Sequence, residues 1–501
     1  MYKVKLNEKS NPDKPVNIKP RRRRSRFLLY PLLFIGTFLT LFAIDYVFFS
    51  GKDLFSRSNI IKAVSTGTNL VNRIVNLELK NDDGITSVLI AGIDTRNIVF
   101  EDGAFKSTKP QGQAGTRNID TIIQVVYDHN KNELVMISIP RDLGVDVREE
   151  CLKFSGSIHW VYDKAETAKC PGRGIEELKH TVESVTGIPI QYHVFVTLDS
   201  FVEAIETVGE TNPTTGEVGI YVDNPTDVWD VYPYNDYGWE NVYFKKGNIF
   251  LSGEDALKYV RVRQLTSDFG RARRQQIVIE AVIGRVLSSD TLLDGNKIAE
   301  LYRIYRQKTL VSEVSFKEIL AGVDLIQKVN TGEIVNIVLD PEISGSERYL
   351  DKQPHNRPGG PYYMVPTHWK ECPGDEFCKV KQLIRSIIEN PTVFEEEAKV
   401  FAYATSNYQG RLYFDDPTYK AFMNIEPPFK LTHSRYLVTL AQDLKDQSGV
   451  VVLDFSAGKY PETLKYLRAQ PGITLLSGEN YTRYRLNKED FTILVPAAQN
   501  N

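Results

Sequence analysis

A dense group of arginines between residues 259 and 276 is the feature of this chain best suited to chemistry. Arginine grips phosphate well, because its planar guanidinium donates two parallel hydrogen bonds and keeps its charge. One carboxylate, Asp268, lies among the cations, and Ser267 or Asp268 can cap a helix whose start favours an anion. The stretch predicts a phosphate site, whereas the alternative is a solvated basic face with salt bridges. The arginines are Arg261, Arg263, Arg271, Arg273 and Arg274.

Two carboxylates stand where strands are predicted to end or begin. The run 86–92 predicts a buried strand followed by Asp94, and Asp120 precedes the strand predicted over 121–127. Ligands of open α/β sheets collect near such strand ends. Two carboxylates brought together there can hold Mg²⁺, a hard cation often shared with a substrate phosphate. Taken singly, each carboxylate is equally well explained as a turn or hairpin cap.

Arginines also follow the predicted strands. Arg96 closes the run 90–96, and Arg141 with Asp142 comes directly after the strand predicted over 133–139. The turn-rich residues 128–132 predict a hairpin between the second and third strands. Alone, Arg141 and Asp142 are equally well explained as a surface ion pair.

The N-terminal end predicts a membrane anchor. A basic tail of residues 1–26 precedes an apolar run over 27–49, whose only charge is Asp45. About 20 apolar residues cross a bilayer as a helix, and the basic flank is expected to stay in the cytoplasm. A cleaved signal peptide is the alternative, although its apolar core is usually shorter. The sequence thus predicts a single-pass protein of the cell membrane with its body outside the cytoplasm.

Charge is distributed unevenly along the chain. Residues 1–26 contain ten Lys or Arg against two acidic residues, about +8, whereas the whole chain carries −3, which leaves about −11 for the rest. An acidic body argues against a nucleic-acid partner, because binding to phosphate backbones needs a broad basic surface. The arginine cluster is therefore a local exception, which indicates a site.

The chain has four cysteines, all in the predicted outer part. Their spacing favours disulfides between Cys151 and Cys170 and between Cys372 and Cys378, but does not settle the pairing. A zinc site is the alternative, although there is no CxxC motif and the histidines stand at no standard ligand spacing.

The remaining sequence predicts a stalk and two α/β domains. Residues 50–83 form the stalk or linker, with a helix over 58–79, and residues 84–390 form an α/β (α+β) body with helices covering a central mixed sheet. Residues 210–245 predict a hairpin or long loop near the site. A small α/β domain is predicted over 395–501, with strands at 397–403, 449–454 and 491–495 and a helix at 434–446. Helices of the larger body are predicted over 174–186, 198–208, 253–263, 268–287 and 315–329.

The motifs resemble, in their order, the LytR-CpsA-Psr family of bacterial envelope proteins. The resemblance covers roughly residues 85–390. The last domain is similar to the small LytR C-terminal domain that often follows in this family, but it lacks the usual Asn-Gly-Thr signature. The matching segments are 91–96, 119–121, 135–142, 153–155, 186–192, 251–263 and 267–276.

The resemblance implies a phosphotransferase. Such proteins move a glycopolymer with its phosphate from a polyprenyl pyrophosphate carrier to peptidoglycan or another envelope acceptor, and helices of the body enclose an apolar lipid tunnel. Asp94 and Asp120 would bind Mg²⁺, with Mn²⁺ as the alternative. The catalytic residues would be Arg141, Asp142, Asp268 and Arg271, and Asp142 would act either as a base for the acceptor hydroxyl or to orient Arg141. The pyrophosphate would be bound by Arg96, Arg141, Arg261, Arg263, Arg271, Arg274 and Gln275.

The sequence departs from the family pattern in places. Arg117 stands three residues before Asp120, with Asn118 at the usual arginine position, and the segment 97–115 is longer than common versions. Three other functions stay open: a non-catalytic polyprenyl-pyrophosphate-binding protein, an envelope scaffold or attenuator, and a pyrophosphate hydrolase. The glycopolymer, the acceptor, the oligomeric state and the role of residues 395–501 are not set by the sequence.

Overall fold

A computed structural model of the chain describes residues 79–495 with interruptions. The predicted tail, the membrane span and most of the stalk fall outside the described residues. Within the described part, no helix is long and apolar enough to cross a membrane. The stretches outside the description are 1–78, 95–97, 102–103, 108–117, 171–172, 235–237, 355–361, 496–501 and shorter or broken stretches within 264–266, 287–333, 344–347, 368–369 and 405–448.

The strands fall into two groups along the chain. Those before residue 370 are β1 (Ile85–Ile93), β2 (Ile98–Glu101), β3 (Ala104–Ser107), β4 (Ile119–Asp128), β5 (Glu133–Ser138), β6 (Gly144–Arg148), β7 (Lys153–Ser157), β8 (Tyr192–Thr197), β9 (Glu210–Thr211), β10 (Val218–Asn224), β11 (Val228–Tyr234), β12 (Gly238–Phe244), β13 (Gly247–Ser252), β14 (Thr309–Val311), β15 (Ile334–Val338), β16 (Leu350–Pro354) and β17 (Tyr362–Pro366). Those after residue 395 are β18 (Val400–Ala404), β19 (Asn407–Tyr408), β20 (Arg411–Leu412), β21 (Leu431–His433), β22 (Val450–Asp454), β23 (Ile473–Ser477) and β24 (Phe491–Val495).

The described helices lie between these strands. The α-helices are α1 (Val161–Ala168), α2 (Arg173–Thr186), α3 (Leu198–Val208), α4 (Gly253–Arg261), α5 (Asp268–Val286), α6 (Ser289–Leu292), α7 (Cys378–Glu389), α8 (Pro391–Glu395), α9 (Pro417–Asn424) and α10 (Pro461–Ala469), and 3₁₀-helices cover Ile158–Trp160 and Gly478–Tyr484.

A six-stranded mixed sheet forms the centre of the larger body. Its order is β14-β8-β1-β4-β5-β15. Strands β1 and β4 pair antiparallel, as do β4 and β5, whereas β1 runs parallel to β8 and β5 parallel to β15. The predicted α/β class with a central mixed sheet is confirmed. The order places β4 between the β8–β1 half of the sheet and the β5–β15 half.

Alternation along the strands separates the two faces of this sheet. In β1, Leu89, Ala91 and Ile93 are fully buried in a core shared with α1, α2 and α7. The side chains between them, such as Ile90, face the opposite side, which α3 and α5 cover. A period of two residues thus gives β1 one face in the core and one face toward a cavity.

Helix α5 is fixed to the sheet by a buried amide. Gln276 donates through Nε2 to the carbonyls of Met136, in β5, and Ile337, in β15, at 3.2 and 3.0 Å. These two hydrogen bonds set the position of the helix over the sheet. The start of α5 is thereby held over the ends of the central strands.

Both disulfides favoured by the spacing are present. Cys151 is bonded to Cys170, and Cys372 to Cys378. The first bond ties the residues before β7 to those after α1. The second closes the loop that leads into α7.

The last hundred residues contain a separate sheet. It has five strands in the order β21-β18-β24-β22-β23. The predicted strands at 397–403, 449–454 and 491–495 correspond to β18, β22 and β24. The helix predicted over 434–446 lies mostly outside the described residues. Of those that are described, Leu444 is helical, whereas Ser434, Val438 and Leu440 are not. The domain limits 84–390 and 395–501 stay predictions.

The larger body follows the sequence prediction closely. The strands predicted over 86–92, 121–127 and 133–139 and the first four predicted helices are all present. The helix predicted over 253–263 is shorter, because Val262 already has extended backbone angles. Of the helix predicted over 315–329, only Glu318 and Leu325 are described, and both are helical.

Candidate active site

A β-bulge shapes the end of the central sheet where the site lies. Strands β1 and β4 pair up to Gly92 opposite Thr121, and then Ile93 faces Ile119, so Asp120 is the extra residue. Bulges re-aim side chains, and they are frequent beside active sites. A Cβ on Gly92 would lie 3.0 Å from the Cβ of Thr121, so glycine permits this close approach.

Asp94, which follows β1, pairs with Arg261 at the end of α4. Arg261 donates through Nη2 to Asp94 Oδ1 at 2.7 Å and through Nη1 to the hydroxyl of Tyr232 at 2.6 Å. Its guanidinium also lies 5.4 Å from the centroid of the Tyr232 ring. Arg261 is thus fixed between the central sheet and the β11–β12 hairpin.

Asp120 pairs with Arg141, which follows β5. Nη1 of Arg141 donates to both carboxylate oxygens of Asp120, at 2.8 and 2.9 Å. Among the described residues, the buried Nε of Arg141 has no hydrogen-bond partner. An unsatisfied charged donor of this kind costs free energy unless a ligand completes it.

The two carboxylates lie close enough to influence each other. Burial raises the pKa of Asp94 above its ordinary value, Arg261 opposes this rise, and Asp120 adds to it. Burial also acts on Asp120, but the charge and hydrogen bonds of Arg141 outweigh it and hold the pKa of Asp120 below its ordinary value. A bound cation would favour the ionised form of Asp94. In the part of the chain that is described, no group of three or more His, Cys, Asp or Glu side chains is arranged to hold a metal ion.

The start of α5 supplies a second cationic group. Ser267 caps the helix, because its Oγ accepts from the amide of Gly270 at 3.0 Å. Asp268 lies 3.3 Å from both Arg263 Nη1 and Arg271 Nη2. Arg271 is 7% exposed, and burial lowers the pKa of its guanidinium. The predicted helix start and its pairing with Asp268 are therefore present.

Gln275 joins three elements one turn further along α5. Its Nε2 donates to Thr121 Oγ1 at 2.9 Å and to the carbonyl of Val260 at 3.3 Å. The amide thereby links α5 to β4 and α4 at the centre of the site.

Arg274 and Arg273 depart from the sequence interpretation. Arg274 is buried, and its guanidinium donates to the carbonyls of Tyr259, at 2.8 Å, and Val262. It therefore holds the end of α4 and lines neither of the two cavities described below, which differs from the predicted pyrophosphate contact. Arg273 pairs with Asp340 at 3.1 Å, not with Asp268.

Asp142 and His159 stand beside Arg141. His159 Nδ1 lies 2.9 Å from the carbonyl oxygen of Arg141. The carboxylate of Asp142 lies 3.8 Å from Arg141 Nε and 3.9 Å from His159 Nδ1. Both distances exceed hydrogen-bond length, so neither Arg141 Nε nor His159 Nδ1 forms a hydrogen bond with this carboxylate.

Arg96 and Arg117 lie outside the described residues, so their predicted contacts stay predictions. The other predicted site residues, apart from Arg274, come together at the ends of the central strands and the start of α5.

An apolar cavity of about 560 Å³, which we call cavity A, opens beside this charged group. It lies over the β8–β1 half of the sheet, between α3 and α5. Its walls include Val88, Val194, Phe201, Ala204 and Val282, and it meets a further apolar cavity of about 420 Å³ at Val88, Val194 and Ala204. One end is polar and is formed by Asp94, Asp120, Arg261, Arg263, Arg271 and Gln275.

A smaller cavity of about 360 Å³, which we call cavity B, lies over the β5–β15 half. It shares Asp120, Thr121, Arg271 and Gln275 with cavity A. Its other walls include Ser138, Arg141, Asp142, Phe269, Ala272 and Tyr363. The charged group therefore stands between cavity A, whose walls are mainly apolar, and cavity B, whose walls contain more polar side chains.

Tyr232, Thr121 and His159 are site residues that the sequence does not predict. Tyr232 lies in the stretch 210–245, which is predicted to lie near the site, but nothing in that stretch distinguishes one tyrosine from the others. Thr121 belongs to the matched segment 119–121, but no function is predicted for it. Their positions depend on pairings between distant segments, which periodicity does not encode.

Comparison with known proteins identifies the family. The model of the LytR_cpsA_psr family matches residues 54–349. The chain is 31% identical over 308 residues to the polyisoprenyl-teichoic acid--peptidoglycan teichoic acid transferase TagV of Bacillus subtilis (strain 168), covering 61% of this chain and 66% of that protein. It is 27% identical over 293 residues to TagU, of the same descriptive name and organism, covering 57% of this chain and 77% of TagU.

A solved structure is also similar. The crystal structure of B. subtilis TagV aligns with a TM-score of 0.43 and 26% sequence identity, and the alignment covers 62% of this chain and 98% of that chain. The chain spans just under two thirds of the full TagV sequence. Since the family match covers more than half of the chain, the protein belongs to the LytR-CpsA-Psr family.

Proposed function

We propose that this protein is a membrane-anchored phosphotransferase. It moves a glycopolymer with its phosphate from a polyprenyl pyrophosphate carrier to peptidoglycan or another envelope acceptor, outside the cytoplasm. The observation that carries the proposal is the cluster of guanidinium and carboxylate groups at one end of a deep apolar cavity. A polyprenyl pyrophosphate likewise combines a charged head with a long apolar tail.

The apolar walls of cavity A suit the polyprenyl tail. Burial of hydrocarbon contributes roughly 25 cal/mol per Å² removed from water, so a long prenyl chain gains much from such a cavity. The tail would run from the polar end past Phe201 and Val282 toward the adjoining cavity near Val194. This placement leaves the pyrophosphate among the arginines.

Arg141, Arg261, Arg263 and Arg271 would bind the pyrophosphate. Phosphoryl transfer is catalysed mainly by positioning and charge neutralisation, and guanidinium groups supply both. The unpartnered Nε of Arg141 offers one donor without breaking an existing hydrogen bond to a described residue. Asp268 orients Arg263 and Arg271, and Arg274 positions the end of α4 that carries Arg261.

Mg²⁺ fits the pair Asp94 and Asp120, with Mn²⁺ as the alternative. Mg²⁺ commonly binds one or two carboxylates together with phosphate oxygens and water. Burial raises the pKa of Asp94, and a bound cation would oppose this rise by favouring the ionised form. When bound, the ion would neutralise charge that develops on the phosphates.

The test is a reaction with the full chain in detergent. The protein would be incubated with a polyprenyl-pyrophosphate oligosaccharide, Mg²⁺ and peptidoglycan fragments, and the products followed by mass spectrometry. A phosphodiester-linked conjugate that needs the metal is expected. Sugar phosphate without a conjugate would indicate a hydrolase, and tight donor binding without turnover would indicate a carrier-binding protein.

A further inference from the structure

Apart from Arg141 and the residues it shares with cavity A, the lining of cavity B has no role in donor binding as described above. We propose that cavity B is the acceptor subsite, which holds the glycan whose hydroxyl attacks the pyrophosphate. This inference rests on the proposed function, because it assigns the side from which the second substrate of that reaction enters.

The sheet order places the two cavities on opposite sides of the reacting group. Strand β4 carries Asp120 and Thr121 and lies between the β8–β1 half under cavity A and the β5–β15 half under cavity B. The residues that the two cavities share in the described part of the chain, Asp120, Thr121, Arg271 and Gln275, belong to β4 and α5. A phosphate bound at these shared residues is open to both cavities.

In-line displacement then fixes which substrate belongs in which cavity. In phosphoryl transfer the attacking and leaving oxygens stand on opposite sides of phosphorus. The leaving oxygen belongs to polyprenyl phosphate, whose tail lies in cavity A. The attacking hydroxyl must therefore approach from the side of cavity B, while the donor glycan hangs from a third oxygen.

Asp142 stands where the proton of the attacking hydroxyl must go. Its carboxylate lines cavity B and lies 3.8 Å or more from its ion-pair neighbours Arg141 and His159. The new bond joins the acceptor oxygen to the distal phosphorus, and the bond from that phosphorus to the bridging oxygen breaks. The hydroxyl proton passes to Asp142, and polyprenyl phosphate leaves with the bonding electrons.

The remaining lining of cavity B suits a sugar. Phe269 and Tyr363 offer aromatic surface, and Ser138 offers a hydroxyl in the same lining as Asp142. Sites for small polar molecules combine apolar walls with a few placed polar groups. The strand β17, which carries Tyr363, is held in place because the amide of Met364 donates to the carbonyl of Asp142 at 2.9 Å.

Two matched substitutions test the assignment. Ala272→Phe fills cavity B from α5, and Ala204→Phe fills cavity A from α3. Donor affinity would be measured with a fluorescent polyprenyl-pyrophosphate oligosaccharide, and transfer would be followed over a range of acceptor concentrations. We expect Ala272→Phe to raise the acceptor KM at least about tenfold and to leave donor affinity within about twofold of the parent. Ala204→Phe should weaken donor binding at least about tenfold and leave the acceptor KM within about twofold of the parent.

Other outcomes separate the possibilities. If Ala272→Phe weakens donor binding instead and leaves the acceptor KM unchanged, cavity B holds the donor glycan and the inference is wrong. If the parent chain binds donor but transfers nothing, the proposed function itself fails. Should Ala272→Phe not fold, a photoreactive acceptor fragment serves instead: labelling of residues 362–366 supports the subsite, and labelling of the β11–β12 hairpin overturns it.

Discussion

At the scale of single residues, Arg141 and Arg273 have different surroundings. Arg141 holds Asp120 through two hydrogen bonds and keeps a buried donor free of protein partners among the described residues. Arg273 is exposed and pairs with Asp340 outside both cavities. Of the two, the sequence predicts only Arg141 as a site residue, because its motif resembles the family, whereas Arg273 stands in the arginine-rich start of α5.

Arg141→Gln is therefore expected to lower the rate of transfer at least about 100-fold, since one charge-stabilising donor contributes that much at comparable sites. Arg273→Gln is the matched control and should keep the transfer rate within about twofold of the parent, because the exposed Arg273 lines neither cavity. Initial rates of conjugate formation, with circular dichroism to check folding, would measure both. Equal losses in the two variants would contradict the assigned site.

At the scale of elements, the bulge between β1 and β4 positions Asp120 and Thr121. Gly92 permits it, because a Cβ there would crowd Thr121. Gly92→Ala should cost about 1–3 kcal/mol of unfolding free energy through overpacking and should also slow transfer. Gly284→Ala is the control: it lies in α5, where an added Cβ would have open space around it, so it should stabilise the protein by about 0.5–1 kcal/mol. Urea unfolding measures both, and a Gly92→Ala variant as stable and active as the parent would refute this role.

Elements were more predictable than the contacts between them. Strand β1 and helix α5 follow from local periodicity and from the cap at Ser267, which neighbouring residues encode. The bulge at Asp120, the pairing of Tyr232 with Arg261 and the inward turn of Arg274 depend on segments far apart in the chain. The residues of the charged group were predicted because they stand in motifs that resemble the family, and their distances required the structure.

At the scale of the whole molecule, stability should depend on pH through His193. Burial, and then the charge of Lys179, lowers the pKa of His193 from 6.5 to about 4. The unfolded chain therefore binds this proton more readily, and the free energy of unfolding falls as the pH drops from about 6.5 toward 4. His193→Gln should reduce that fall and leave the pH dependence above neutrality unchanged. Urea titrations across this range would show it, and an unaltered acid slope would contradict the burial of a neutral histidine.

In the proposed reaction, the phosphate next to the sugar moves with the glycan. Two donors would be prepared for the full chain, one with ³²P in the phosphate next to the sugar and one with ³²P in the phosphate next to the lipid. The first label should appear in the peptidoglycan conjugate, and the second should stay in polyprenyl phosphate. If both labels remain with the lipid while the glycan is transferred, the reaction is glycosyl transfer and the proposed phosphotransfer is wrong.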